Sequence, residues 1–427
     1  MRTPAEGTLR AVLAAAVSAA LAAGASAEGG PAKELSFGGQ LRSQYEATNL
    51  EAYTSVPTRR GKDSLSLRTR LWMQAKPAAG MTAYIQLQDS RVAGQETSVA
   101  ANDNLTDLHQ GHLTVADLFG RPVDLTVGRM ELKYGDQRLI SPLDWSVVGR
   151  SWDGLLLRVR LPSSTVDAFL TNVKEASSAR RDQNFWGLYG SCRAVADHEL
   201  DAYLLGRDFG NEGQVSEVRA DKGNLSDRTL GARAKGKAGA ADYSAEAAWQ
   251  FGRKAGMPVR AWAGALTGGW TFDARWKPRL GAEYDYASGD TNPADDKVQT
   301  FDPLFPFGHA LQGYQDAFSW KNGHALKLSV SGTPAPGTTL ALDYHYFRTA
   351  QAKDAWYNAG MAAIARDNAG LSGNEVGHEL DLHMRTQVRG ALKLWFGVSR
   401  FFASSFVRAK AGGKARDWAF LQATLDF

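Results

Sequence analysis

One cysteine, Cys192, occurs in 427 residues, so no intrachain disulfide can form and the fold rests on packing and hydrogen bonding. No His or Asp pattern surrounds Cys192 to activate its thiol, and it reads as a small residue within a strand. After Ala23 no run of 18 apolar residues occurs, which excludes helical membrane spans. No G-x-S-x-G, no Ser-His-Asp arrangement and no phosphate-binding glycine loop can be placed, so the sequence gives no ground for an enzyme or a bound cofactor. Metal sites are equally poorly supported. His378 and His383 are five apart and point to opposite faces of a strand, and Asp290, Asp295 and Asp296 crowd a loop without EF-hand spacing. Charge of one sign is also lacking: 49 basic against 45 acidic residues leave a net +4, too little for a nucleic-acid footprint.

What the sequence does have is alternation. The last ten residues, Trp418 to Phe427, place Ala419, Leu421, Ala423, Leu425 and Phe427 on one face and Trp418, Phe420, Gln422, Thr424 and Asp426 on the other. A period of two with unlike faces is a strand between two solvents. The same pattern recurs near 35–47, 64–76, 81–93, 107–117, 123–132, 153–161, 164–175, 183–195, 197–208, 227–238, 241–252, 258–273, 278–288, 323–332, 338–349, 374–388, 390–403 and 415–427, eighteen candidate strands in all, with sixteen as the alternative count. At the amino end, Arg2 and Arg10 supply a short positive region before the run Ala11 to Ala23, followed by Ala25-Ser26-Ala27. Residues 1–27 therefore read as a cleaved secretory signal peptide and 28–427 as the folded part. A mean hydropathy of -0.33 does not contradict a membrane location, because barrel strands hide their lipid face in alternate positions.

Connections alternate as well. Short turns carry Pro or Gly: Pro77 to Gly80, Gly120-Arg121-Pro122, Pro162-Ser163, Ala238 to Ala240 and Thr333 to Gly337. Longer polar loops lie at 48–63, 94–106, 133–152, 209–226, 289–322 and 350–373. This is the layout of a transmembrane antiparallel β-barrel, an all-β fold with both termini at the short-turn, periplasmic end. Charge recurs on the inner face at Arg42, Arg68, Arg70, Arg158, Arg160, Arg233, Lys235, Lys237, Lys327 and Lys393. A packed sandwich core would not hold so many cations, whereas a water-filled lumen can. Trp249, Trp262, Trp270, Trp356 and Trp395 read mainly as interfacial girdle residues.

Val127 to Leu156, VGRMELKYGDQRLISPLDWSVVGRSWDGLL, resembles the hallmark stretch of the alginate-export family of outer-membrane barrels. Met130 stands where Gln is frequent and Trp152 where Phe is frequent. Tyr284 to Asp290, Leu304 to His309 and Glu375 to Leu382 resemble later motifs of that family, and the closing Phe427 looks like the signal read by the barrel-assembly machinery. The resemblance implies an eighteen-stranded monomeric barrel with an electropositive constriction. Matched positions are Arg129, Tyr134, Gly135, Asp136, Arg138, Asp144, Trp145, Arg150, Asp153 and Gly154. The long late periplasmic turn that helps alginate exporters close their pore has no counterpart near Val388-Arg389-Gly390, where the turn is very short.

These readings give an outer-membrane channel for anionic solutes, an anionic exopolysaccharide such as alginate included. Arg68, Arg70, Arg129, Arg138, Arg150, Arg158 and Arg160 are expected to line or organise the constriction, with Asp136, Asp144 and Asp153 orienting them and loop 133–152 folding inward. Fixed guanidinium forks replace the hydration of a carboxylate bidentately, and several weak sites in a row allow passage. Expected partners are outer-membrane lipid and lipopolysaccharide. Rival readings are a general or nutrient porin, an outer-membrane lipid hydrolase, for which no nucleophile can be placed, and a scaffold sheathing a partner protein.

Overall fold

The computed structural model describes residues 34–50, 61–93, 106–173, 183–215 and 222–427. The segment 1–27 lies outside them, as do parts of the loops at 48–63, 94–106 and 209–226. Twenty strands occur among the described residues. The first nine are β1 (Glu34–Thr48), β2 (Lys62–Lys76), β3 (Met81–Val92), β4 (Asp107–Val115), β5 (Val123–Met130), β6 (Trp152–Leu161), β7 (Ser164–Val173), β8 (Gln183–Cys192) and β9 (His198–Val215). Next come β10 (Lys222–Ala238), β11 (Ala241–Lys254), β12 (Met257–Thr271), β13 (Arg279–Ala287), β14 (Gly323–Ala335) and β15 (Thr338–Thr349). The rest are β16 (Ala355–Tyr357), β17 (Ala363–Arg366), β18 (Glu375–Arg389), β19 (Leu392–Ala403) and β20 (Arg416–Asp426).

Eighteen of these form one antiparallel sheet, and β16 and β17 form a separate two-stranded pair inside the loop after β15. The large sheet closes because β20 pairs with β1, from Gln40 opposite Asp426 to Thr48 opposite Trp418. Closure leaves no unpaired edge for water or lipid to solvate, which is the condition for spanning a bilayer with strands. Phe427 finishes the seam by exchanging backbone hydrogen bonds with Gly39 at 2.7 and 3.0 Å. The eighteen alternating segments are thus the eighteen barrel strands; β16 and β17 are too short to show a period.

Each strand sorts its side chains as the alternation requires. On β2, Leu65, Leu67, Leu71 and Met73 are exposed on the outer wall, while Ser66, Arg68 and Arg70 are buried inward. On β20, Leu421 and Leu425 face outward, and Trp418, Phe420 and Gln422 are buried inside. Trp249, Trp262 and Trp270 are each about half exposed on the outer wall, whereas Trp356 is buried and Trp395 packs inside the barrel. The β18–β19 turn is only Gly390-Ala391.

The lumen is not uniformly wet. Met130, Leu139, Ile140, Trp152, Phe169, Phe185, Phe301, Phe305 and Trp320 form an apolar core within it. The wall supplies Met130, Trp152, Phe169 and Phe185 of this core, and the loops 131–151 and 288–322 supply the rest. Ile140 and Phe305 form a parallel bridge, continued by Ser141 N–H to the Phe305 carbonyl at 3.0 Å and Phe305 N–H to the Leu139 carbonyl at 2.9 Å. The two loops therefore satisfy their backbone groups on each other, as buried irregular chain must. A second core of Phe318, Phe347, Trp356, Val376, Phe401 and Phe406 lies under the loops 350–374 and 404–415.

Candidate functional site

Loop 131–151 leaves β5 at Met130, crosses the lumen and returns to β6 at Trp152. It is tied to the wall at three places. Asp136 accepts from Lys235 Nζ and Ser244 Oγ, both at 2.6 Å, on β10 and β11. Arg138 meets Glu283 at 2.5 Å and Asp285 at 3.0 Å on β13. Asp144 pairs with Arg68 at 2.9 Å and Arg70 at 3.2 Å on β2. Gly135 makes the crossing possible: its φ is +54°, and a Cβ there would lie 3.0 Å from Arg233 Nε and 3.1 Å from Tyr189 Oη. A larger residue would be strained and would push the loop off the wall.

The third anchor is the most elaborate. Arg42 donates to the carbonyls of Asp144, Trp145 and Ser146, the last two at 3.0 and 2.8 Å. Arg68 donates to the carbonyls of Asp144 at 3.0 Å and Ser146 at 3.2 Å, and to Gln40 Oε1 at 2.6 Å. Arg70 donates to Gln88 Oε1 at 2.6 Å. Gln88 and Ser90 extend the row by donating to the Val148 and Val147 carbonyls at 2.7 and 2.9 Å. Three buried arginines on adjacent strands repel one another; carbonyl dipoles and the carboxylates of Asp144 and Glu131, the latter 3.5 Å from Arg70, offset this. Partial desolvation opposes ionisation of Asp144, but the charges of Arg68, Arg70 and Arg42 outweigh it and hold its carboxyl below the usual range. Its side chain remains 57% exposed.

The other anchors follow the same logic. Burial opposes the charge on Arg138, yet Asp285 and Glu283 outweigh it and hold the guanidinium more firmly protonated than a free one. Arg150 has no carboxylate partner among the described residues. It donates to the carbonyls of Ser141 and Phe305, both at 2.9 Å, and burial lowers it to about 10. It therefore fastens loop 131–151 to loop 288–322. Arg158 forms a bidentate pair with Asp167 at 2.7 and 2.6 Å, and Arg160 pairs with Asp117 at 2.5 Å and Asp124 at 3.0 Å. Both stay more than two-fifths exposed to the lumen.

Arg129 and Asp153 depart from expectation. They pair with each other at 2.6 Å and stand opposite in register between β5 and β6, on the face of Val127, Leu155 and Leu157. That is the outer wall, so neither lines the lumen. Arg42, Gln88, Ser90 and Glu283 carry parts of the site outside the matched motifs, and Asp285 and Phe305 lie within two of the later motifs without having been singled out as site residues. Inward parity was available for Arg42 and for Glu283 with Asp285, and the Leu304 to His309 motif marked the segment of Phe305 but not its contact with loop 131–151.

Two cavities flank the crossing. On the short-turn side lies a vestibule of about 1090 Å³, roofed by Gly135 to Arg138 and Leu311 and bordered by Arg193, Lys235, Lys237 and Arg279 together with Asp197, Glu199 and Asp242. On the long-loop side lies one of about 490 Å³ that includes Glu46, Trp145, His309 and Asp316. The helical turn Gly308–Leu311 stands between them, with His309 stacked on Trp145 at a ring distance of 4.1 Å. Asp290 is fully buried and accepts from the backbone of Asn292 and Gln299, bracing its own loop.

The sequence profile described as "Alginate export" matches residues 33–420. No curated protein matches the chain. Among solved structures, the outer membrane protein OprD of Pseudomonas aeruginosa is similar with a TM-score of 0.61 at 12% identity, over 94% of this chain and 96% of that one. OccK11 (OpdR) of the same organism gives 0.59 at 14%, over 94% and 98%, and OccK7 (OpdD) 0.58 at 15%, over 92% and 99%. At such identities these likenesses establish the barrel fold alone.

Proposed function

Since the chain belongs to the alginate-export family and forms an outer-membrane barrel, we propose that it is a passive channel for anionic solutes, an anionic exopolysaccharide such as alginate among them. The observation that carries this reading is the row Arg42, Arg68 and Arg70, fixed on the inner wall beside the infolded loop. A carboxylated chain entering the vestibule meets Lys237 and the ion pairs of Arg193 with Glu199, Lys235 with Asp136 and Arg279 with Asp242. It would then replace the Asp144 carboxylate and the loop carbonyls as partner of the three arginines. Exchange of one anion for another needs no uncompensated buried charge, so the barrier stays low. Arg158 and Arg160 raise the positive potential along the wall, while Asp136, Arg138 and Arg150 position the loops. In this reading the termini are periplasmic, the barrel is a monomer assembled through its Phe427 strand, and no reaction is catalysed.

The infolded loops also favour a second reading, a non-conducting barrel that sheathes a partner protein. A general porin is the third. Single-channel recording in a planar bilayer with a salt gradient separates them. Anion-selective current blocked by uronate oligomers supports the first. Current without selectivity or block supports the porin, and no current supports the scaffold.

A further inference from the structure

The outer wall carries a cationic patch that transport does not use. It sits at the hairpin joining β11 and β12, whose turn is only Ala255-Gly256. Register places three rows side by side across β10, β11 and β12: Ser226, Arg253 and Pro258; then Arg228, Phe251 and Arg260; then Leu230, Trp249 and Trp262. Trp249 is 52% and Trp262 53% exposed, which fixes these rows on the outer face. Adjacent strands stand ~4.8 Å apart, so Arg228 and Arg260 are roughly 10 Å apart across Phe251.

The charges on this patch are not matched. Asp208 pairs with Arg228 at 3.1 Å and also accepts from Ser226 Oγ and Trp186 Nε1. Among the described residues Arg253 donates only to its own hairpin, at the Gly256 carbonyl 2.9 Å away. The Arg260 side chain has no ion pair or hydrogen bond among the described residues. Among the described residues three guanidinium groups therefore face a single carboxylate. Arg228 also lies 4.9 Å above the Trp186 ring, and its Nη1 donates to the carbonyls of Asp227 at 2.7 Å and Arg207 at 3.3 Å, which fixes this cation on the outer wall.

Below the arginines the surface changes in a definite order. The tryptophan row comes first. Under it lie the small residues Ala232, Ala247 and Gly264, then Ala234, Ala245 and Leu266. Phosphate-binding groups, an aromatic belt and a shallow apolar lane follow one another down the wall. A phosphorylated glycolipid presents the complementary sequence: anionic headgroup, amphipathic boundary, acyl chains.

We propose that this patch binds the phosphorylated headgroup of an outer-leaflet glycolipid, lipopolysaccharide, through Arg228, Arg253 and Arg260. Guanidinium forks bind phosphate oxygens bidentately, and the low dielectric at the bilayer boundary strengthens the contact. The inference rests on the orientation given above, with the β11–β12 hairpin at the cell exterior.

The test is lipid retention. The full chain is purified in micelles, incubated with bisphosphorylated lipid A or with its dephosphorylated form, and the bound lipid is counted by native mass spectrometry. The wild-type barrel should retain lipid A, and R228Q/R253Q/R260Q should bind it roughly tenfold or more weakly. R260Q alone serves as the second variant, because Arg260 supports nothing inside the wall; it should show a smaller loss in the same direction. Equal retention by wild type and both variants overturns the proposal, as does equal retention of the dephosphorylated lipid. Orientation is read separately from L371C, which lies on the loop before β18. Labelling of that cysteine only from the periplasm would overturn the choice of an outer-leaflet lipid, whatever the lipid count.

Discussion

Arg68 and Asp144 stand 76 residues apart in sequence and 2.9 Å apart in space. Their pairing fixes the crossing loop to the first hairpin of the barrel. It also means that the arginines of the proposed path are occupied by the protein's own anion and carbonyls until a solute displaces them.

The double substitution Arg68→Ala with Arg70→Ala removes two of the three cations of this row. Anion selectivity should fall, seen as a reversal potential that moves toward zero under a salt gradient. An unchanged reversal potential would refute the role of the row.

Asp144→Asn keeps the loop carbonyls in place but deletes the internal competitor for the arginines. Block by uronate oligomers should set in at lower oligomer concentration. The same state is reached by acid. Because the folded carboxyl titrates below its unfolded value of about 3.9, the ion pair is fully present above that pH and is lost as pH falls through the lower, folded value. Conductance and block should therefore stay constant from pH 7 down to about 4 and change only below it; a transition near neutrality would sink the assignment.

Arg138 is buried against Glu283 and Asp285. Arg138→Met strands two carboxylates in the apolar core and should cost about 3–5 kcal/mol. The loss should appear as a lower urea midpoint for unfolding in micelles. Restoring neutrality with Glu283→Gln and Asp285→Asn should recover much of it. A triple variant no more stable than the single one would count against this account.

Arg150 joins the two infolded loops through the carbonyls of Ser141 and Phe305. Arg150→Ala should loosen that seam and raise single-channel conductance without reversing ion selectivity. Conductance equal to wild type would show that the seam does not limit flow.

Leu371 is 88% exposed on the loop before β18, and Cys192 ends β8 at a short turn. An impermeant maleimide applied to intact cells should modify Leu371→Cys and leave Cys192 untouched. The opposite pattern would invert the barrel.

Much of this protein was written in its alternation. A period of two with leucines on one face and Arg68, Arg70 or Arg158 on the other determines strand, wall and lumen together, because neighbouring residues of a strand must face different solvents. Parity also held the position of Arg129, which alternates with Val127 and Leu125 toward lipid, although motif matching alone suggested the lumen. Loop 131–151 could be expected to fold inward from its mixed charges. Tertiary structure alone decided where it lands. Asp136 on β10 and β11, Arg138 on β13, and Asp144 on β2 are contacts between distant parts of the chain, and no local period encodes which wall a loop will reach. The parallel bridge of Ile140 with Phe305 is of the same kind. Two irregular segments inside a barrel must satisfy each other's backbone groups, and only the closed wall around them brings those groups together.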